Sequence, residues 1–314
     1  MIYPWLAPLW KRFLEQLDQN RMAHAILICG PEGSGKRDLS RSMAARLLCL
    51  EEGQFACGHC RSCRLLEGGA HPELFTATLL ETKKQIGVDQ VRELIDTLYL
   101  TTTISPRKVV EIFPAEALNA HSANALLKNL EEPTGDAVIL LTCSNPNRLP
   151  VTLRSRCQKV TVDLPAPDEG AAWLAASMGV SASEADSALQ AAGLSPLLAQ
   201  RMLKEGLLED YAAVQKGLGE SLGKPRSVSL LAGRFADFEP AGIWKWLSLN
   251  TAAALRSAVS GESLPWLPEG TRLNQRALAG LQQEADRFRF LSNTGVRQDL
   301  LLQEWLIKWS GLTN

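Results

Sequence analysis

No stretch of this chain is apolar for the ~20 residues that a membrane-spanning helix requires. The start, MIYPWLAPLW, lacks a basic segment followed by an apolar run, so no secretory signal is read there. A cytoplasmic protein is the expectation. Excess charge is missing too: 33 Lys and Arg stand against 34 Asp and Glu, for a net charge of −1. A near-neutral chain has no overall field that draws it to nucleic acid or to a membrane surface. That disfavours a stand-alone DNA-binding module and leaves DNA contact to a local patch or a larger assembly. Internal repeats and low-complexity tracts are absent. What remains, 46% hydrophobic and 21% charged over 314 residues, suits a soluble globular protein of two or three domains.

Short apolar runs are present, and their order is informative. HAILIC (24–29) reads as a buried strand, and the helical spacing of Leu39, Met43, Leu47 and Leu48 predicts a helix over 36–50. Further strands are expected over 73–79, 108–113, 137–143 and 159–164, with helices over 88–100 and 122–132 between them. Strands alternating with helices imply an α/β fold, a parallel sheet covered on both faces. Beyond PAPDEG (165–170) no strand is expected. Helical stretches rich in Ala and Leu run to the end, broken near 193–196, 217–225 and 265–270. A small helical domain to about 207 and a larger one after it follow. Five of the eight tryptophans, Trp244, Trp246, Trp266, Trp305 and Trp309, lie in that last part and read as bundle core.

The first strand ends in GPEGSGKRDLS (30–40). Gly30, Gly33 and Gly35 let the backbone curl so that its N–H groups face an anion, and Lys36 can reach terminal phosphates. The hydroxyl that usually follows that lysine and holds Mg²⁺ is missing. Arg37 stands there and has no lone pair for a cation. The strand that should end in metal-binding and water-poising acids is KVVEIFPAEAL (108–118), and it ends in Phe113 and Pro114. Glu111 falls two residues early, on the same face as Phe113, and Glu116 falls too late. Two defects in two halves of one site predict no hydrolysis in cis, with weak nucleotide or phosphate binding left open.

Four of the seven cysteines crowd together. Cys57, Cys60 and Cys63 follow one another at two-residue spacings, and Cys49 is the natural fourth ligand. Such turns suit a tetrahedral Zn²⁺, and a Cys₄ set with no open position makes the metal structural. His59 and His71 are competing ligands that read as facing solvent or capping local structure. Cys29 and Cys143 read as inert strand residues. Between two expected strands, LPVTLRSRCQKV (149–160) carries Arg154 and Arg156 in a short polar turn. They are either a solvated or salt-bridged pair, or one of them reaches a phosphate on a neighbouring molecule.

Taken in order, GPEGSGK (30–36), the CxxCxxC insertion (57–63), GVDQVREL (87–94), NALLKNLEEP (124–133) and LRSRC (153–157) resemble the clamp-loader family of bacterial DNA polymerase III. YPWL (3–6), HAILICGPEGSGK (24–36) and GAHPELF (69–75) are similar to one branch of it, and SNTGVRQDLLLQEWL (292–306) is similar to its C-terminal end. The resemblance implies an AAA+ fold. Residues 1–165 would be a P-loop-type domain with a zinc module at about 49–63, residues 166–207 a small helical lid, and residues 208–314 a helical collar. It implies a five-subunit ring with gamma/tau and delta subunits that acts on a sliding clamp and primer–template DNA. It also implies that Arg156, within its Ser155–Arg156–Cys157 motif, serves the ATP held by the next subunit. The departures at Arg37, Phe113 and Pro114 agree with a non-hydrolysing member, with ATP binding in cis doubtful. Where an ATP-sensing arginine would be sought stand Pro196 and Leu197, with Arg201 only later. The alternative, an active ATPase motor subunit, needs Mg²⁺ ligation that these residues do not offer.

Overall fold

The computed structural model describes residues 2–80, 83, 85–132, 135–291 and 297–313. Residue 133 of NALLKNLEEP and residues 292–296 of the C-terminal stretch lie outside them. The chain forms two compact units, Met1–Gly170 with Ser195–Leu198, and Ala171–Leu194 with Ala199–Asn314.

In the first unit, α1 (Ala7–Asp18) precedes β1 (Ala25–Cys29), α2 (Lys36–Leu48), α3 (Arg61–Glu67), β2 (Leu74–Thr78) and α4 (Val88–Leu98). Then come β3 (Lys108–Phe113), α5 (Ala120–Glu131), β4 (Ala137–Cys143), α6 (Val151–Arg154) and β5 (Gln158–Thr161). The five strands pair in parallel in the order β2-β3-β4-β1-β5. Central strands β1 and β4 are buried along their whole length, which is why they read as unbroken apolar runs. Alternation splits each strand between two cores. Ile26, Ile28, Val109 and Leu140 face the helix that follows the glycine loop, with Leu39 and Met43. Leu27, Val110, Ile112 and Leu141 face α4 and α5. Lys108, buried where β3 begins, donates to the Thr97, Leu98 and Leu100 carbonyls and so caps the end of α4.

The second unit is helical among its described residues. It holds most of α7 (Pro167–Met178), α8 (Ala182–Ala191), most of α9 (Pro196–Glu205), α10 (Leu208–Ser221) and α11 (Val228–Ala236). Three further helices are α12 (Pro240–Ser260), α13 (Gln275–Leu291) and α14 (Gln298–Ser310). Trp244, Trp305 and Trp309 are fully buried, with the last two stacked at 5.5 Å. Each indole N–H is spent on a partner: Gln298 Oε1, the Leu281 carbonyl and the Leu218 carbonyl respectively. The expected break near 217–225 falls at 222–224, after α10 ends at Ser221, so Gly217 and Gly219 lie inside the helix that precedes it. A Cβ at Gly217 would meet Leu231 at 2.6 Å, and one at Gly219 would meet the Trp266 carbonyl at 2.1 Å. These glycines serve close packing, not a turn.

Candidate functional sites: a glycine loop, a cysteine cluster and an exposed arginine

The glycine loop leaves β1 at the carboxyl edge of the sheet. Gly33 and Gly35 both take positive φ, 72° and 86°, a region that a side chain would strain. Gly35 also lies under Tyr3, whose ring would be 2.8 Å from an added Cβ. Trp5 Nε1 donates to the Ser34 carbonyl at 2.9 Å, so the YPWL segment braces the loop from outside. On the other side Ser195 Oγ donates to the Glu32 carbonyl at 2.7 Å, and the Leu197 N–H reaches the Gly33 carbonyl. A cavity of about 250 Å³ borders the loop, lined by Gly33, Gly35, Lys36, Arg37, Thr142 and Ser144 among others. Lys36 donates to the Pro31 carbonyl at 3.1 Å. Burial lowers its ammonium below the usual lysine range, against the opposing pull of Glu116 and Glu32.

The positions that would hold Mg²⁺ are otherwise engaged. Arg37 lies over the Phe113 ring, its Cζ 3.9 Å from the centroid. Glu111 points back under α2, accepting from Ser40 Oγ at 2.7 Å and pairing with Arg41. Glu116 Oε1 accepts the Ser144 N–H at 2.8 Å, at the end of β4. Glu111 is thereby turned away from the loop, whereas Glu116 keeps a second oxygen, Oε2, buried and without a hydrogen-bond partner.

The four crowded cysteines do converge. Their Sγ atoms all lie within 4.8 Å of one another. A tetrahedron with Zn–S bonds of about 2.3 Å has edges of about 3.8 Å, and Cys57 and Cys63 are already 3.9 Å apart. Successive N–H groups donate to sulfur: Cys57 to Cys49, Cys60 to Cys57, and Cys63 to Cys60, at 3.3–3.4 Å. Burial would raise the Cys60 thiol, but the N–H bonds from Cys63 and Leu50 outweigh it and lower the thiol below its ordinary value. Burial pushes the Cys63 thiol the other way, up to about 12, so it is the convergence of the four sulfurs that lets the cluster hold a metal ion. His59 is exposed beside Glu51. His71 is not at the surface but wholly buried, and its place in the fold has another cause. Its Nε2 lies 2.9 Å from Ser62 Oγ, and its Nδ1 accepts the Glu73 N–H at 3.1 Å. Ser62 and Ser105 both donate to the Leu48 carbonyl, next to Cys49.

Cys29 and Cys143 sit side by side on β1 and β4, with Sγ atoms 3.3 Å apart in the core. They lie apart from the metal-binding set.

The arginine turn contains a single helical turn, α6, so Arg154 is helical rather than part of an open loop. Leu153 fills the core beneath it. Ser155 Oγ donates back to the Thr152 carbonyl, and burial pushes the Cys157 thiol up to about 12. Arg156 is partly exposed, 34% for its side chain, and paired to Glu131. Strand register places this turn at the amino edge of the sheet. Thr161 pairs with Cys29, beside the glycine loop, and Gln158 pairs with Ile26. At ~3.3 Å per residue, Gln158 lies about 10 Å behind the loop's level, and Arg156 precedes it. The chain's own loop and its own exposed arginine stand on opposite edges.

The family model described as "DNA polymerase III, delta subunit" matches residues 6–165. The DNA polymerase III subunit delta′ of Pseudomonas aeruginosa is 35% identical, covering 99% of this chain and 98% of its own. The chain belongs to the DNA polymerase III delta-prime family. The Escherichia coli delta′ subunit is 30% identical over 98% of this chain and 94% of its own length. The tau/gamma subunit of Haemophilus influenzae is 37% identical over 143 residues, 45% of this chain and 20% of that protein. The loop and the arginine turn both lie within the residues that the family model matches. Within this delta-prime chain, two residues that touch those sites were not legible in sequence. Glu131 sits in a helix that reads only as amphipathic, and Ser195 lies about 160 residues from the carbonyl it binds. The LEEP run was the one signal that could have drawn attention to Glu131.

Proposed function

We propose that this chain is a non-hydrolysing subunit of a DNA polymerase III clamp loader that lends Arg156 to the ATP site of a neighbouring subunit. The observation that carries the reading is the placement of loop and arginine on opposite edges of one sheet. An arginine there cannot serve its own loop, yet it is exposed and ready to meet a nucleotide held next door. There it would stabilise the charge that spreads over the transferring phosphoryl. Residues 166–207 act as a small lid and residues 208–314 as a collar that joins gamma/tau and delta subunits in a five-membered ring. The ring opens a sliding clamp on ATP binding and releases it on primer–template DNA after hydrolysis.

Zn²⁺ is held by Cys49, Cys57, Cys60 and Cys63 as a structural ion, since four thiolates leave no open position. It ties the end of α2 to the start of α3, which are otherwise joined by an irregular segment. The glycine loop, with Gly30, Gly33, Gly35 and Lys36, keeps a phosphate cradle whose metal partners are gone. Nucleotide there is weakly bound or absent, and turnover in cis is nil.

The test is a loader reconstituted from this chain with its gamma/tau and delta partners, sliding clamp and primed DNA. Arg156→Ala is expected to co-elute with its partners and to lower ATP turnover. At the site an arginine finger serves, its contribution is on the order of 10³-fold or more. Turnover equal to wild type would remove the role.

A further inference from the structure

The guanidinium of Arg156 is held by contacts from its own chain. Nε donates to Glu131 Oε1, Nη2 closes on the same oxygen, and Nη1 donates to the Thr152 carbonyl at 2.9 Å. A guanidinium carries five N–H groups in a rigid planar fork. Nε and Nη2 share the side-on edge of that fork, and this is the edge that Glu131 grips. The end-on edge, one N–H from each terminal nitrogen, is turned away from the carboxylate. That edge matches two oxygens of a phosphate.

Glu131 is itself well fixed. It closes α5, whose Leu130 side chain is buried and whose Leu130 carbonyl lies 2.8 Å from His24 Nε2, just ahead of β1. The carboxylate is half exposed, 50% for its side chain. An ion pair as open as this adds little to folding stability, so stability does not account for it. Preorganisation does. A free arginine side chain samples many rotamers, and a catalytic group held in one of them has already given up that freedom before the ligand arrives.

Resting on the trans role of Arg156, we propose that Glu131 is a positioning residue. It grips the side-on edge of the guanidinium so that the end-on edge meets the phosphate oxygens of a nucleoside triphosphate bound by the neighbouring subunit. Thr152 contributes its carbonyl from the turn before. Glu131 touches no substrate and acts only through Arg156.

The experiment measures steady-state ATP hydrolysis by the reconstituted loader, with clamp and primed DNA. It compares wild type, Glu131→Gln, Glu131→Asp, Arg156→Ala and the Glu131→Gln/Arg156→Ala pair, each checked for assembly by co-elution. Glu131→Gln is expected to lower kcat about threefold or more with KM for ATP unchanged, because orientation is lost and not binding. Glu131→Asp should recover part of that loss, since it restores the charge on a shorter arm. The double variant should be no slower than Arg156→Ala alone, as two residues acting through one group are not additive. Wild-type kcat in Glu131→Gln beside a slowed Arg156→Ala overturns the role of Glu131 and leaves the finger standing. Faster turnover in Glu131→Gln also overturns it, and marks Glu131 as a competitor that the nucleotide must displace. A double variant slower than Arg156→Ala overturns it as well, because Glu131 would then act elsewhere. Arg156→Ala at wild-type rate removes the finger itself, and this inference with it.

Discussion

The Arg37 guanidinium rests on the Phe113 ring, with its Cζ 3.9 Å from the ring centroid. Arg37 stands where a hydroxyl would hold Mg²⁺, and Phe113 ends the strand that would supply the acids. The two departures are thus in contact, and each provides the other's surroundings: a flat apolar face for a cation, and a cation for a π face. Lys36 borders the same cavity, where the proposed function keeps phosphate attraction without metal ligation. The isolated chain with ATP and Mg²⁺ should therefore release phosphate at the background rate, and Lys36→Ala should not change it. Arg37→Thr should stay at background too, since Phe113 and Pro114 still offer no carboxylate. Vigorous phosphate release that disappears in Lys36→Ala would show an active cis site.

The cysteine cluster makes a prediction about content. Elemental analysis of chain purified without chelators should give about one zinc per chain. Cys60→Ser should lower that content and the melting temperature, because metal affinity contributes directly to folding. Cys143→Ser should keep the zinc in full, since its thiol faces Cys29 in the core. Finding no zinc in the wild-type chain would sink the assignment.

The His71–Glu73 pair sets an acid limit. Burial lowers His71 below its ordinary 6.5, against the opposing effect of Glu73. Burial would raise Glu73, but bonds from Thr103, Ile104 and Ser105 together outweigh it and hold the carboxyl below its ordinary 4.5. A group with a depressed folded pKa contributes stability above its unfolded value and loses it as pH falls through the folded one. Urea midpoints for the transition that includes this network should hold from pH 8 to about pH 6.5, then fall as the unfolded histidine gains its proton first. Below about pH 4.5 the carboxyl should add to the decline. Glu73→Gln should cost about 2 kcal/mol near neutral pH by leaving buried N–H groups poorly matched. A flat midpoint between pH 7.5 and pH 5 would contradict the role given to His71.

Much of the first unit was legible because its signals are local. The runs at 108–113 and 137–143 coincide with β3 and β4, since strands buried on both faces are apolar except where a polar side chain, as at Lys108 and Glu111, finds its own partners. The glycines at 33 and 35 announced positive φ, and the cysteine spacing announced a cluster, because both are set within a few residues. The break expected near 217–225 is found at 222–224, but the part played by Gly217 was not legible: the close approach of Leu231 demands a glycine there, inside the helix. For His71 the local capping was legible, since it accepts the Glu73 N–H two residues on, but its burial was not, as that depends also on Ser105, 34 residues away.

By itself the sequence determined the α/β order of the first unit, the helical character of the rest, the departures at Arg37, Phe113 and Pro114, and the family resemblance. Each of these depends on which residues stand in a row, and a row is what a sequence records. Tertiary structure alone decided that Arg37 and Phe113 meet, that Ser195 ties the glycine loop, and that Glu131 grips Arg156. It also decided that the loop and the arginine stand on opposite edges of the sheet. Those relations come from strand register and helix crossover, which bring together residues that no local pattern connects.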